Sequence, residues 1–195
     1  MAQKGKLTTA DYLTVDQFNQ FATALHDDGQ YTWELFCRMA FCCGLRASDV
    51  LQLNWESILD KNELTIVEIK TGKIREINMN GSVRNKIKDL YLLMGSPNPH
   101  QPIIYNPKTR KRYTIQTVNE KLKQFRVKYR LNIKNFSTHT FRKTFGRMVY
   151  ESSGRSAEAL VLLNSIFKHS SIQTTKTYIG ITQEEIQSVY NLVHF

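Results

Sequence analysis

Along most of this chain apolar residues recur at i, i+3, i+4 and i+7, a spacing that suits an amphipathic helix and not a strand. Phe18, Phe21, Ala22 and Leu25 show it first, behind Thr14 and Gln17 at capping-box spacing. Trp33, Phe36, Cys37, Ala40 and Phe41 repeat it, and Gly44 stands where that helix would stop. Ser48 and Asp49 are placed to cap a short helix, which puts Arg46 at a helix junction. The periodicity fails over residues 64–69 and 75–79, which are rich in strand formers. They flank Lys70-Thr71-Gly72-Lys73, so a β-hairpin with a glycine turn is expected there.

Helical spacing then resumes. Val83, Ile87, Leu90, Tyr91 and Met94 mark a helix closed by a loop at 95–102 that holds Pro97, Pro99 and Pro102. Ile115, Val118, Leu122, Phe125 and Tyr129 mark the next. Helices are also expected from about Thr138, with Phe141, Phe145 and Met148 inward, and from Ser156, with Leu160, Leu163 and Ile166 inward. Ser170 and Gln173 have capping-box spacing ahead of a helix that carries Tyr178. Thr182 and Glu185 have it ahead of a last helix with Ile186, Val189, Tyr190 and Val193 on one face. The expected fold class is mainly α with a small antiparallel β-sheet (α+β), and 195 residues suit one domain or two small ones.

Charge narrows the function. The net charge is +10, yet residues 106–147 alone hold thirteen Lys and Arg against one acid, Glu120, so the rest of the chain is slightly acidic. Such a segment makes phosphate its natural partner, with binding that weakens steeply in salt. On the helix ending near Tyr129 the cations Lys121, Lys123, Arg126, Lys128 and Arg130 lie off the apolar stripe, as a helix facing a DNA groove would arrange them. Cys37, Cys42 and Cys43 cluster in an apolar segment without metal-type spacing and read as small core residues. With no apolar run long enough for a membrane span and no leader-like N-terminus, the chain is expected to be intracellular.

A few residues carry chemistry. His139 and Arg142 lie three apart on a helix and can meet one phosphate, while Arg46 supplies a second guanidinium from a distant junction. Tyr178 is a phenol with an ordinary pKa of about 10, so as a nucleophile it needs a base and a cationic surround. His139 can accept its proton, and His169 can donate to a phosphate oxygen. Each of these residues alone is also an ordinary surface arginine, packed tyrosine or core histidine.

Four strings taken in order change that balance. Gly44-Leu45-Arg46-Ala47-Ser48-Asp49-Val50, Lys70-Thr71-Gly72-Lys73, His139-Thr140-Phe141-Arg142 and His169-Ser170-Ser171-Ile172-Gln173-Thr174-Thr175-Lys176-Thr177-Tyr178 resemble the boxes of the tyrosine recombinase (phage integrase) family. The likeness runs from about Tyr12 to the C-terminus. It implies the family's catalytic-domain fold over residues 14–195 after a short tail of residues 1–13, with no core-binding domain in front. The chain is then an excised catalytic domain or a minimal recombinase similar to the fimbrial-switch invertases, and its Met1 start favours the latter.

The resemblance also implies roles. Tyr178 attacks the scissile phosphate to give a 3′-phosphotyrosyl link, in integration, excision or inversion of DNA. Arg46, Arg142 and His169 hold the non-bridging oxygens, His139 is the base, and Lys70 protonates the leaving 5′-oxygen, with Lys73 a competing candidate. No metal or other cofactor is called for. The partners implied are double-stranded DNA with a specific recombination site, further copies of the chain in a tetramer held through the last helix, and accessory DNA-bending proteins, in the cytoplasm of a prokaryotic cell. Lys73, Arg110, Lys111, Arg112, Lys121, Lys123, Arg126, Lys128, Lys143 and Lys168 are the candidate DNA contacts. Phe167-Lys168 replaces the Leu-Gly common in the family, and Gly180 stands where a histidine is frequent. A type IB topoisomerase and a non-catalytic DNA-binding regulator are the alternative readings.

Overall fold

The computed structural model describes residues 10–181, and the expected last helix with Ile186, Val189, Tyr190 and Val193 lies outside them. Within that span the helices are α1 (Val15–Asp27), α2 (Tyr31–Cys42), α3 (Ala47–Gln52), α4 (Gly81–Leu93), α5 (Ile115–Lys128), α6 (Thr138–Ser152), α7 (Ala157–Phe167) and α8 (Ile172–Tyr178). Strands β1 (Glu63–Val67) and β2 (Ile74–Asn78) pair antiparallel, with Val67 opposite Ile74 at the turn end. Among the described residues no helix is long and apolar enough to cross a membrane.

Local signals explain most element ends. Thr14 accepts from the Gln17 amide while the Gln17 side chain accepts from the Thr14 amide, so both expected halves of the α1 cap are made. Two caps differ from expectation. α3 is preceded by Arg46 in extended backbone and has no side-chain cap, because Asp49 turns instead toward the hairpin and accepts from the Ile69 amide at 3.1 Å. α8 is capped by Ser171, whose hydroxyl accepts from the Thr174 amide, and not by its neighbour Ser170.

The main core is aromatic. Phe18, Phe21, Phe36 and Phe141 are buried between α1, α2 and α6, and Phe125 and Phe136 close around Phe21. Each such ring contributes roughly 1.5–3 kcal/mol by leaving water, which is what holds the basic α5 against an otherwise apolar bundle. Glu34 on α2 is buried among polar partners from three helices, the His26 ring at 2.8 Å and the cations Arg38 at 2.7 Å and Lys86 at 3.7 Å. Such pairing is what makes a buried carboxylate tolerable. Cys37 and Cys43 are buried, and burial pushes the Cys43 thiol up to about 12, so it fills space without acting as a nucleophile.

A second, smaller core gathers Leu160, Leu163, Phe167, Tyr178 and Ile179, with Ile166 only half-buried at its side. It attaches α7 and α8 to α6 through Phe145, Val149 and Tyr150. Ahead of α1, the chain is pinned to α6 and its approach. The Asp11 amide donates to the Asn135 carbonyl, the Leu13 amide to Thr144 Oγ1, and Lys143 Nζ to the Ala10 carbonyl.

Candidate active site

The site forms where α3, the hairpin turn, α6 and the α7–α8 corner meet. Gly44 turns the chain out of α2 with φ +55, and a Cβ there would fall 2.7 Å from the Phe145 ring, so only glycine lets the loop lie on α6. Two arginines grip this loop. Arg142 Nη1 donates to the Gly44 carbonyl, and Arg75 donates to Gly44 O at 3.3 Å and Cys43 O at 2.7 Å.

Arg46 and Arg142 then converge on one atom. Arg46 Nη2 donates to the Phe167 carbonyl at 3.0 Å and Arg142 Nη2 donates to the same oxygen at 3.2 Å. The Arg142 guanidinium also lies 4.4 Å over the Phe167 ring. Burial, with the like charges of Arg46 and Arg75 nearby, brings Arg142 down to about 10, so it keeps its charge at neutral pH. Behind the pair stand two fully buried carboxylates. Glu68 lies 2.9 Å from Arg46 and 3.7 Å from Arg75, and Asp49 lies 3.9 Å from Arg46.

Tyr178 ends α8 only 6% exposed, with its ring 5.3 Å from Phe167 and 5.0 Å from His169. Its hydroxyl is buried, and Arg142 reaches it without a well-aligned hydrogen bond. Burial raises its pKa, and the charges of Arg142 and Arg46 pull the other way.

His169 has its tautomer set by neighbours. Thr175 Oγ1 gives its proton to Asn164 Oδ1 at 3.0 Å, so it accepts from His169 Nδ1 at 3.1 Å and leaves Nε2 for a ligand. Burial first, then Arg142, Arg46 and Lys70, lower His169 to about 4, which makes it neutral in the free protein. His139, in the first turn of α6, is an exposed residue, yet partial desolvation of its ring and the charges of Arg142, Lys143, Lys70 and Arg46 hold it below the usual histidine range. Lys70 lies exposed on the hairpin turn, and its charge reaches both histidines.

The candidate DNA contacts divide. Lys73, Arg110, Lys111, Lys123, Arg126 and Lys168 are exposed and make no ion pair with another described residue. Lys121 sits 5.0 Å over the Phe125 ring, and Lys128 pairs with Asp28 at 2.5 Å. Arg112 and Lys143 are engaged within the protein itself. Arg112 donates to Leu51 O at 2.6 Å, Leu53 O at 3.1 Å and Asn54 Oδ1 at 2.6 Å, which commits its fork to the open carbonyls at the C-terminal end of α3. Lys143 is buried, with Nζ 2.6 Å from the Ala10 carbonyl and 5.4 Å from the Tyr178 ring centre. Lys168 adopts φ +53, the left-handed turn that glycine takes without strain.

Sequence reasoning gave no role to Glu68, Arg75, Phe167 or Thr175, and gave Asp49 only that of a cap. A buried acid two residues before a turn lysine offers no local signal, since its partners lie on other elements.

A family model described as "Phage integrase family" matches residues 11–185. The chain is 29% identical over 148 residues to the probable integrase/recombinase YoeC of Bacillus subtilis, across 76% of this chain and 77% of that protein. It is 30% identical over 160 residues to the probable integrase/recombinase of Acholeplasma phage L2, across 82% of this chain and 52% of that protein. Among solved structures, XerH site-specific recombinase in a post-cleavage complex with a palindromic difH substrate superimposes with a TM-score of 0.70 at 15% identity. That likeness covers 95% of this chain and 54% of XerH, and it is a likeness of fold. The chain thus spans about half the length of the phage protein and of XerH.

Proposed function

The chain belongs to the phage integrase family, and on that premise we propose that it is a site-specific DNA recombinase that cuts and rejoins strands through Tyr178, with residues 14–195 as its catalytic domain. The observation that carries the proposal is the convergence of Arg46 and Arg142, from distant parts of the chain, on the single oxygen of Phe167 beside Tyr178. Two forked donors aimed at one point suit the charge that builds on a phosphoryl group during attack.

The chemistry follows from the groups present. The Tyr178 oxygen attacks phosphorus and gives its proton to His139, whose lowered pKa keeps it neutral and able to accept. The bond from phosphorus to the 5′-oxygen breaks, and Lys70 supplies a proton to that oxygen. A 3′-phosphotyrosine and a free 5′-hydroxyl result. Attack by another 5′-hydroxyl reverses the steps and joins strands to a new partner, with the phosphodiester energy conserved in the tyrosyl ester.

His169 begins neutral with Nε2 facing the site. An arriving phosphate raises its pKa, so it takes up a proton and then donates to a non-bridging oxygen. Because the Tyr178 hydroxyl is buried in the free protein, α8 moves to deliver it. The separate small core under α7 and α8 lets this happen without opening the main one. The exposed cations of α5 and the loop before it hold the duplex, and the tetramer, accessory proteins and cytoplasmic setting named above belong to the same proposal.

The test uses a pool of nicked duplexes with randomised arms, since a short fragment lost at the nick traps the covalent state. Wild type should enrich one family of sequences in covalent adducts, and Tyr178→Phe should trap none. An undiminished adduct in Tyr178→Phe removes Tyr178 as the nucleophile, and no adduct from wild type on any sequence leaves a DNA-binding regulator.

A further inference from the structure

We infer that Glu68 is a positioning residue that ties the turn carrying Lys70 to Arg46, so that acid and phosphate clamp are set as one unit; this rests on the recombinase reading above. Lys70 is exposed, so the position of its backbone decides where its ammonium can reach. That backbone is tethered on both sides. The residue before it, Ile69, gives its amide to Asp49 Oδ1 at 3.1 Å. The residue after it, Thr71, gives its hydroxyl to Glu68 Oε2 at 2.9 Å.

Both tethers end beside the same guanidinium through ion pairs that lack hydrogen-bond geometry, with Arg46 Nη1 2.9 Å from Glu68 Oε2 and 3.9 Å from Asp49 Oδ2. Glu68 is the stronger link, since one oxygen, Oε2, serves both Arg46 and Thr71. Its side chain is fully buried, and its pKa is nevertheless lowered, because the Arg46 and Thr71 contacts outweigh the burial that opposes them. The hairpin turn does not need this carboxylate to form. Gly72 at φ +66, the Glu68 amide to Lys73 O at 3.0 Å and the Gly72 amide to Glu68 O at 2.8 Å close it through backbone alone. What the side chain adds is registry between Lys70 and Arg46.

If Glu68 acts through Lys70, its loss damages leaving-group protonation and not attack. A substrate with sulfur in place of the bridging 5′-oxygen separates the two, because a thiolate leaves without a proton. Single-turnover adduct formation is measured on a duplex recovered by the capture above, in oxygen and sulfur forms, for wild type, Lys70→Ala, Glu68→Gln and Thr71→Val. Lys70→Ala should be slowed on oxygen by about 100-fold or more, the usual worth of a general acid, and restored on sulfur. Glu68→Gln should be slowed by roughly 10- to 100-fold on oxygen, as about 1 Å of misplacement would give, and return to near wild type on sulfur.

Thr71→Val cuts one tether while leaving the buried charge in place, so it should show a smaller slowing with the same rescue, even where Glu68→Gln folds poorly. Equal slowing on oxygen and sulfur for both variants overturns the proposal, as does a wild-type rate on oxygen. Lys70→Ala that sulfur does not rescue shows that the assignment of the acid has failed, and the positioning role falls with it. A wild type that forms no adduct in either form marks failure of the recombinase reading.

Discussion

Gly146→Ala tests how the nucleophile is held in register with the arginine clamp. Gly146 lies on α6 where the smaller core presses closest, and an added Cβ would fall 2.7 Å from Ile179 Cγ2 and 2.9 Å from two atoms of the Phe167 ring. Carbon atoms settle at about 3.5–4.0 Å, so Phe167 and Ile179 have to give way by about 1 Å. Overpacking of this kind costs about 1–3 kcal/mol. Alanine's better helix propensity recovers about 1 kcal/mol, for a net loss of about 0–2 kcal/mol. The chemistry should suffer more than the stability, because the two residues displaced are Phe167, whose carbonyl receives Arg46 and Arg142, and Ile179, next to Tyr178. A shift near 1 Å predicts roughly a 100-fold slower adduct formation. Urea unfolding gives the first quantity and single-turnover trapping on a captured duplex gives the second. Wild-type stability together with a wild-type rate would refute the argument that this contact sets the site.

Lys168→Gly should raise stability by about 1 kcal/mol in urea unfolding, since it relieves a left-handed residue, and should lower the salt slope of DNA binding by about one if Lys168 touches a phosphate. Lys123→Ala and Arg126→Ala should each weaken DNA binding and reduce that slope by about one. Arg112→Ala should instead lower stability and leave the slope alone, because its guanidinium is spent on Leu51, Leu53 and Asn54. Acid should destabilise the fold through His169. Its folded pKa of about 4 lies below its unfolded value near 6.5, so the unfolded state holds more protons between them, and stability present above about 6.5 is lost as pH falls toward 4. His169→Gln should flatten that part of the profile, as measured by unfolding midpoints at pH 4.5 and 7.0.

Much of the fold was legible because a single period dominates the chain. The stripes beginning at Phe18, Trp33 and Ile115 became buried helix faces, except that Ile115 itself stays exposed, and the break at residues 64–79 became the hairpin. Errors arose where neighbouring residues are chemically alike. Ser170 and Ser171 can each cap a helix, and backbone geometry chose Ser171. Charge is equally uninformative locally, since composition makes Arg112 and Lys143 look like Lys123 and Arg126, and only the structure shows the long-range partners of the first two. The order of the boxes made Arg46, Arg142, His169 and Tyr178 readable as a group. Their support was not readable, because Glu68 meets Arg46 and Phe167 meets Gly146 across tertiary contacts that no local pattern encodes.

The central claim is that Tyr178 becomes joined to DNA, and the most direct measurement is mass spectrometry of the trapped adduct after nuclease and trypsin digestion. Cleavage after Lys176 places Tyr178 second in a peptide that begins at Thr177. The prediction is a nucleotide mass on that peptide, with fragmentation locating it on Tyr178. A nucleotide on Tyr190 or on any other residue would contradict the claim.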